Sequence, residues 1–243
     1  MPADKSTTAA REAPGGPADG CVLRSGVDYL AAIDLFRDVT LKQMEEIDRA
    51  LTAQTVPRGR VLYTPGETGE VLYLLREGAV QVYRMSPEGR KLVLGRLGPN
   101  SFFGEMSCIA QGMYDAFAEA AEDSVVYTMS CADVARLLLS NPQVALRLLE
   151  AMGRRVIEAE QQLEEIAFRG LVPRLAALLV RAEEGGEVRG LSHQDLADRL
   201  GVYRETVTGA LKALKTAGAI DIARKRIVIV DPTALRRAAG ADA

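Results

Sequence analysis

Arg204 and Glu205 are neighbours in the run RETVTGALK, with Thr208 and Gly209 one helical turn later and Lys212 a turn beyond. An arginine offers paired N–H donors that match the two acceptors on the major-groove edge of guanine, and a glutamate can accept from a cytosine amino group. Lys212, Lys215, Arg224, Lys225 and Arg226 have the chemistry to neutralise phosphates, which adds affinity and salt dependence rather than sequence information. Arg-Glu neighbours and scattered charge also occur on ordinary solvated helices, so this chemistry needs elements that aim it.

The stretch from Leu191 to Asp231 supplies them. Ser192 can accept from an orphan N–H at a helix start while Asp195 answers it three positions on, a capping-box arrangement. Leu196, Ala197 and Leu200 recur at helical spacing until Gly201 interrupts them. From Tyr203 a second helix follows, with Val207, Ala210, Leu211 and Leu214 on one face and Gly218 at its end. Ile220 and Ile222, then Ile227 to Val230, flank Ala223-Arg224-Lys225-Arg226 and predict a β-hairpin with a basic tip. The spacing therefore predicts a winged helix-turn-helix whose second helix turns Arg204, Glu205, Thr208 and Gly209 outward.

This region closely resembles the DNA-binding domain of the cyclic-AMP receptor protein and FNR (Crp/Fnr) family of bacterial transcription regulators, most strongly in Gly201–Leu211, GVYRETVTGAL. The resemblance implies that Arg204 and Glu205 contact bases and that Ser192, His193, Gln194 and Thr206 lie near phosphates. Gly209 departs from it: many members carry a second base-reading arginine there, so a different half-site is implied.

The whole chain has 243 residues, 48% hydrophobic and 26% charged, enough for two folded domains and unlike a disordered protein. Net charge is −3, yet the C-terminal end from Arg204 to Arg237 is basic. Cys21, Cys108 and Cys131 show neither metal-type spacing nor a disulfide framework, which fits structural or incidental roles in a reducing interior. Cys108 has the chemistry to ligate or be oxidised, and a small buried apolar role is the simpler reading. The chain carries no apolar run long enough to span a bilayer and no signal-peptide core, so the expectation is a cytoplasmic protein. No nucleophile elbow, phosphate loop or histidine-based triad is present, which argues against an enzyme.

Residues 1–20, rich in Pro, Gly and Ala, read as a flexible tail. A helix is expected from Thr40, with Leu41, Met44, Ile47 and Leu51 on one side. From Val56 to about Met129, short apolar runs separated by Gly and Pro turns predict an all-β module. It resembles the family's cyclic-nucleotide-binding β-roll, with Gly66, Gly78, Gly98 and Phe103-Gly104-Glu105 at the expected places. In nucleotide binders the glutamate matching Glu105 holds a ribose hydroxyl, and an Arg-Ser pair grips the cyclic phosphate. Here that pair falls on Asp115-Ala116, and the base-contacting Thr-Ser pair falls on Ala159-Glu160. A carboxylate repels an anion that an arginine fork would bind, so cyclic AMP is disfavoured as effector. The three cysteines are too few for an iron–sulfur sensor, and the single histidine, His193, lies in the DNA-binding unit. LSHQ and KRI resemble the 2-oxoglutarate-responsive nitrogen regulators, without their basic sensor ligands. The effector stays unknown, and no metal is expected.

Between the modules, Asn141 to Phe168 reads as one helix with Leu149, Met152, Val156, Ala159, Leu163 and Ile166 in a heptad seam. A second copy of the helix would cover it; packing on the chain's own β-roll is the alternative, in which Leu146, Leu148 and Ile157 would share. Gly170, before Val172-Pro173, is a candidate hinge.

The expected architecture is thus α+β: a tail over 1–20, a β-roll sensor over 21–140, a dimerisation helix and hinge over 141–170 and a winged helix-turn-helix over 171–238. The expected function is a homodimeric regulator on a palindromic operator, engaging RNA polymerase if it activates. The alternative is a ligand-binding or protein-interaction module without specific DNA binding.

Overall fold

The computed structural model of the chain describes residues 26–111, 113–223 and 226–240. The expected tail over 1–20 lies outside them, as do Cys21, Arg224 and Lys225. Helix α1 (Gly26–Ala31), a 3-10 turn (Asp34–Phe36) and α2 (Leu41–Arg49) come first. α2 starts where sequence places it: the Thr40 N–H donates to Gln43 Oε1 at 3.1 Å, and Met44 and Ile47 face inward.

Eight strands follow: β1 (Thr52–Val56), β2 (Val61–Tyr63), β3 (Val71–Glu77), β4 (Val80–Met85), β5 (Lys91–Leu97), β6 (Ser101–Phe103), β7 (Phe117–Ala120) and β8 (Ser124–Ser130). They form two antiparallel sheets, ordered β1-β8-β3-β6 and β2-β7-β4-β5. β3 explains why one run is apolar throughout, since it is covered on both sides. Tyr73 and Leu75 pack inside the sandwich with Val56, Phe103 and Val126, whereas Leu72 and Leu74 pack outside it on Phe36, Met129 and Val144. Between β6 and β7 the chain makes a π turn, Ser107–Gln111.

α3 (Cys131–Ser140) leads into α4 (Pro142–Phe168), a 27-residue helix. Its first turns belong to the β-roll, with Val144 and Leu148 buried against Leu72 and Met129. Further along, Leu149, Val156, Leu163 and Ile166 are exposed, as is Ala159. Met152, expected in the seam, is half-buried and also packs on the β-roll cluster. Leu146 and Ile157, expected to pack inward if the helix serves the β-roll, are exposed. The cysteines correct an expectation. Cys108 and Cys131 form a disulfide, with Cα atoms 4.9 Å apart. They are 23 residues apart in sequence, and only the π turn brings Cys108 beside the start of α3.

After Arg169 and Gly170, α5 (Leu171–Ala182) begins, with Pro173 in its first turn, where a missing N–H costs no helical hydrogen bond. β9 (Glu187–Arg189), α6 (His193–Leu200), α7 (Arg204–Thr216), β10 (Ile220–Ala223), β11 (Arg226–Ile229) and α8 (Pro232–Ala238) complete the chain. The hairpin β10–β11 gains β9 as a third strand, in the order β10-β11-β9. Leu175, Leu179, Leu196, Leu211, Leu214 and Ile227 share the core of this unit.

Candidate nucleic-acid interface and sensor site

Two short helices can hold a fixed angle only if the turn between them is pinned. The Ser192 N–H donates to Asp195 Oδ2 at 2.7 Å and the Asp195 N–H returns a hydrogen bond to Ser192 Oγ at 3.1 Å, so the expected capping box starts α6. Gly201 ends it at φ +66°, a conformation that costs glycine nothing. Arg174 on α5 donates to the Leu200 carbonyl at 2.8 Å, satisfying one of the acceptors left free where α6 stops. α7 then begins with Tyr203 as its N-cap.

The face of α7 that sequence singled out is open. Arg204, Glu205, Thr206, Thr208, Gly209 and Lys212 are all exposed, while Val207, Ala210, Leu211 and Leu214 are buried. Thr208 Oγ1 donates to the Arg204 carbonyl at 3.0 Å and lies 3.0 Å from His193 Nδ1. The hydroxyl has one proton, spent on that carbonyl, so the imidazole presents Nδ1–H to it. His193 thereby ties the start of α6 to the first turn of α7. A cleft of about 410 Å³ lies between the two helices and the wing, and Ser192, His193, Gln194, Arg204 and Arg226 line it together. Arg226 is steadied by Glu187 of β9, at 2.8 Å. Lys215, by contrast, is engaged with Asp221 at 2.6 Å. Lys225, expected at phosphate, lies outside the described residues.

The second candidate site is in the β-roll. Glu105 follows Gly104 and is only 3% exposed. One carboxylate oxygen meets the Arg155 guanidinium, whose other amino group donates to the Phe102 carbonyl at 2.8 Å. The second oxygen, Oε2, has no hydrogen-bond partner among the described residues. Burial pushes the Glu105 carboxyl above the ordinary range and outweighs the opposing pull of Arg155. Asp115, exposed at the edge of this region, accepts from Arg84 at 2.6 Å, and Ala116 beside it is buried. Tyr63 and Tyr114 stack at 3.8 Å nearby, and the Tyr114 hydroxyl donates to the Val71 carbonyl at 3.1 Å. Gly104, Glu105, Asp115 and Ala116 thus share one region. Ala159 and Glu160 take no part in these contacts and are exposed on α4, one turn beyond Arg155. Sequence reading placed Arg155 on the flank of the seam and missed its inward contact. The available signal was a basic Arg154-Arg155 pair in a helix otherwise rich in glutamate.

A β-roll joined through one long helix to a winged helix-turn-helix defines a transcription regulator with a sensor domain and a DNA-binding domain. Residues 53–141 match the cyclic nucleotide-binding domain and residues 173–238 the Crp-like helix-turn-helix domain. The cyclic AMP receptor protein of Thermus thermophilus is 34% identical over 181 residues, covering 72% of this chain and 84% of that one. The global nitrogen regulator of Synechocystis is 30% identical over 193 residues, 75% of this chain and 86% of its own length. Among solved structures, a Crp/Fnr family regulator of Thermus thermophilus superposes with a TM-score of 0.64 at 28% identity, over 78% of this chain and 98% of that one. The chain belongs to the Crp/Fnr family of DNA-binding transcription regulators. Among the described residues no helix is long and apolar enough to cross a membrane.

Proposed function

We propose that the chain acts in the cytoplasm as a homodimer that binds an inverted-repeat operator and is not gated by cyclic AMP. The observation that carries the DNA reading is that Ser192, His193, Gln194, Arg204 and Arg226 line one open cleft. Arg204 and Glu205 read base edges, with Thr208 and Gly209 alongside. Ser192, His193, Gln194 and Thr206 approach phosphates at the helix N-termini, where free N–H groups favour an anion. Lys212, Arg226 and Lys225 add charge from the helix and the wing. The exposed row Leu149, Val156, Ala159, Leu163 and Ile166 supplies the dimer seam. If the protein activates transcription, RNA polymerase is its further partner.

Charge argues against cyclic AMP as the effector. The Thermus thermophilus relative carries cyclic AMP in its name, but here Arg84 is engaged by Asp115 and Arg155 by Glu105. A cyclic phosphate would have to compete with both carboxylates for its arginines. The test is selection of bound sequences from random duplex DNA by the purified protein, with and without cyclic AMP at one salt concentration. An inverted repeat recovered without nucleotide is the expected result. Recovery only with nucleotide would overturn the reading of Asp115 and Ala116, and no enrichment in either arm would overturn unaided operator binding.

A further inference from the structure

The disulfide joins the turn that follows Glu105 to the start of α3. Cys108 belongs to the π turn that begins two residues after Glu105, and Cys131 is the first residue of α3. The Cys131 N–H donates to the Glu70 carbonyl at 2.8 Å, and its sulfur lies 3.4 Å from the Gly69 carbonyl. Gly69 is where the turn presses closest, because a Cβ there would come within 1.8 Å of Ser107 Cβ. Ser107 in turn donates its hydroxyl to the Gly104 carbonyl at 2.7 Å. Both cysteines are half-buried, so neither is sealed from small reagents. α3 packs on α4, the helix that holds Arg155 against Glu105.

A DNA-binding regulator works where the chromosome is, and the curated relatives are bacterial. That compartment keeps thiols reduced, and disulfides found there are usually transient or sensing. We propose that Cys108 and Cys131 are a reversible dithiol–disulfide pair that senses thiol redox poise, fixing the Ser107–Gln111 turn on α3 when oxidised and freeing it when reduced. This rests on the DNA-binding reading for the reducing compartment and for its effect on operator affinity. The oxidant is a low-molecular-weight disulfide such as oxidised glutathione. One cysteine thiolate attacks a glutathione sulfur, forming a mixed disulfide and releasing one glutathione thiolate. The second cysteine, as thiolate, attacks the protein sulfur of that mixed disulfide and releases the other. Two protein thiols become one disulfide, and one oxidised glutathione becomes two reduced molecules. On reduction the Gly69 carbonyl is in place to accept from the Cys131 S–H.

The test uses the full chain carrying Cys21→Ser, equilibrated in glutathione buffers of different oxidised-to-reduced ratio. Free thiols are alkylated and counted by mass, amide exchange is followed across residues 105–111, and affinity is measured on the selected duplex. The expected result is two alkylated thiols at one extreme and none at the other, reversibly. Exchange should be slower in the oxidised form, and DNA affinity should differ by at least about fivefold, the low end of ordinary allosteric coupling. Cys108→Ser with Cys131→Ser should remove the dependence on the glutathione ratio while leaving DNA bound. A pair that stays reduced in oxidised glutathione, or equal exchange in both states, overturns the proposal. Redox-dependent thiols and exchange with no duplex bound in either state would instead count against the DNA reading and still support the sensing pair.

Discussion

The guanidinium of Arg90, in the turn between β4 and β5, stands 5.2 Å from the centre of the ring of Tyr203, the N-cap of α7. Leu92 adds a second contact, since a Cβ on Gly201 would come to 3.0 Å from its Cδ1. The sensor's β5 therefore packs directly against α6 of the DNA-binding unit.

Substituting Arg90 by Ala should loosen this docking. An exposed cation–π contact contributes about 0.5–1 kcal/mol, so the undocked population should rise by about two- to fivefold. Small-angle scattering and protease cleavage near Gly170 would register it, and unchanged profiles would mean that the β5–α6 packing holds the units without this contact.

Arg204→Ala should weaken operator binding by about 1–3 kcal/mol and relax preference at one base pair. Titration of matched and single-mismatch duplexes checks both parts. A uniform loss across all duplexes would instead make Arg204 a phosphate contact.

Gly209 is in the interior of α7 with open space where a side chain would stand. Gly209→Ala should stabilise the domain by about 0.5–1 kcal/mol, measured by denaturant unfolding. Gly209→Arg should fold and add a preference at one further base pair in the selected half-site. An unchanged site would show that this position does not face the groove.

The Glu105 carboxyl keeps its proton in the folded state at pH values where the unfolded chain has released it. Its contribution to stability must therefore fall as pH rises from about 4.3, the unfolded glutamate value, through the raised folded value. Glu105→Gln cannot ionise, so its unfolding midpoint should vary less over that window. Parallel curves for the two proteins would show that burial does not set this carboxyl's charge.

Leu163 is 65% exposed on a single chain. Leu163→Asp should convert the dimer to monomer in sedimentation velocity. It should also lower affinity for the inverted repeat by about 100-fold or more, because two linked half-sites then bind separately. A dimer that survives would place the interface elsewhere.

What sequence reveals here divides by the range of the signal. The capping box at Ser192, the break at Gly201 and the alternation around the wing are local, and each appears where its residues predict. The contact of Met152 with the β-roll is not legible in sequence, because a helical stripe cannot tell a partner chain from the chain's own β-roll. Four of its seam neighbours are large exposed apolar side chains, but Met152 lies low enough on α4 to reach the cluster around Leu72. Arg155 with Glu105, and Cys108 with Cys131, are pairings of residues 50 and 23 positions apart. Nothing periodic encodes them. Both depend on how α3, α4 and the π turn close on the β-roll, which is decided by packing.

α4 is anchored in the β-roll at one end and ends beside Gly170 at the other. With 27 residues it is about 40 Å long. A swing of only about 10° at the anchored end would carry the far end by roughly 7 Å, about the rise of two base pairs. Such a swing requires the β5–α6 packing to open, so that packing stands between adjustments around Glu105 or the cysteines and any displacement of α7. In the proposed homodimer, that docking would decide whether two copies of α7 stand in step with the helical repeat of DNA or out of it.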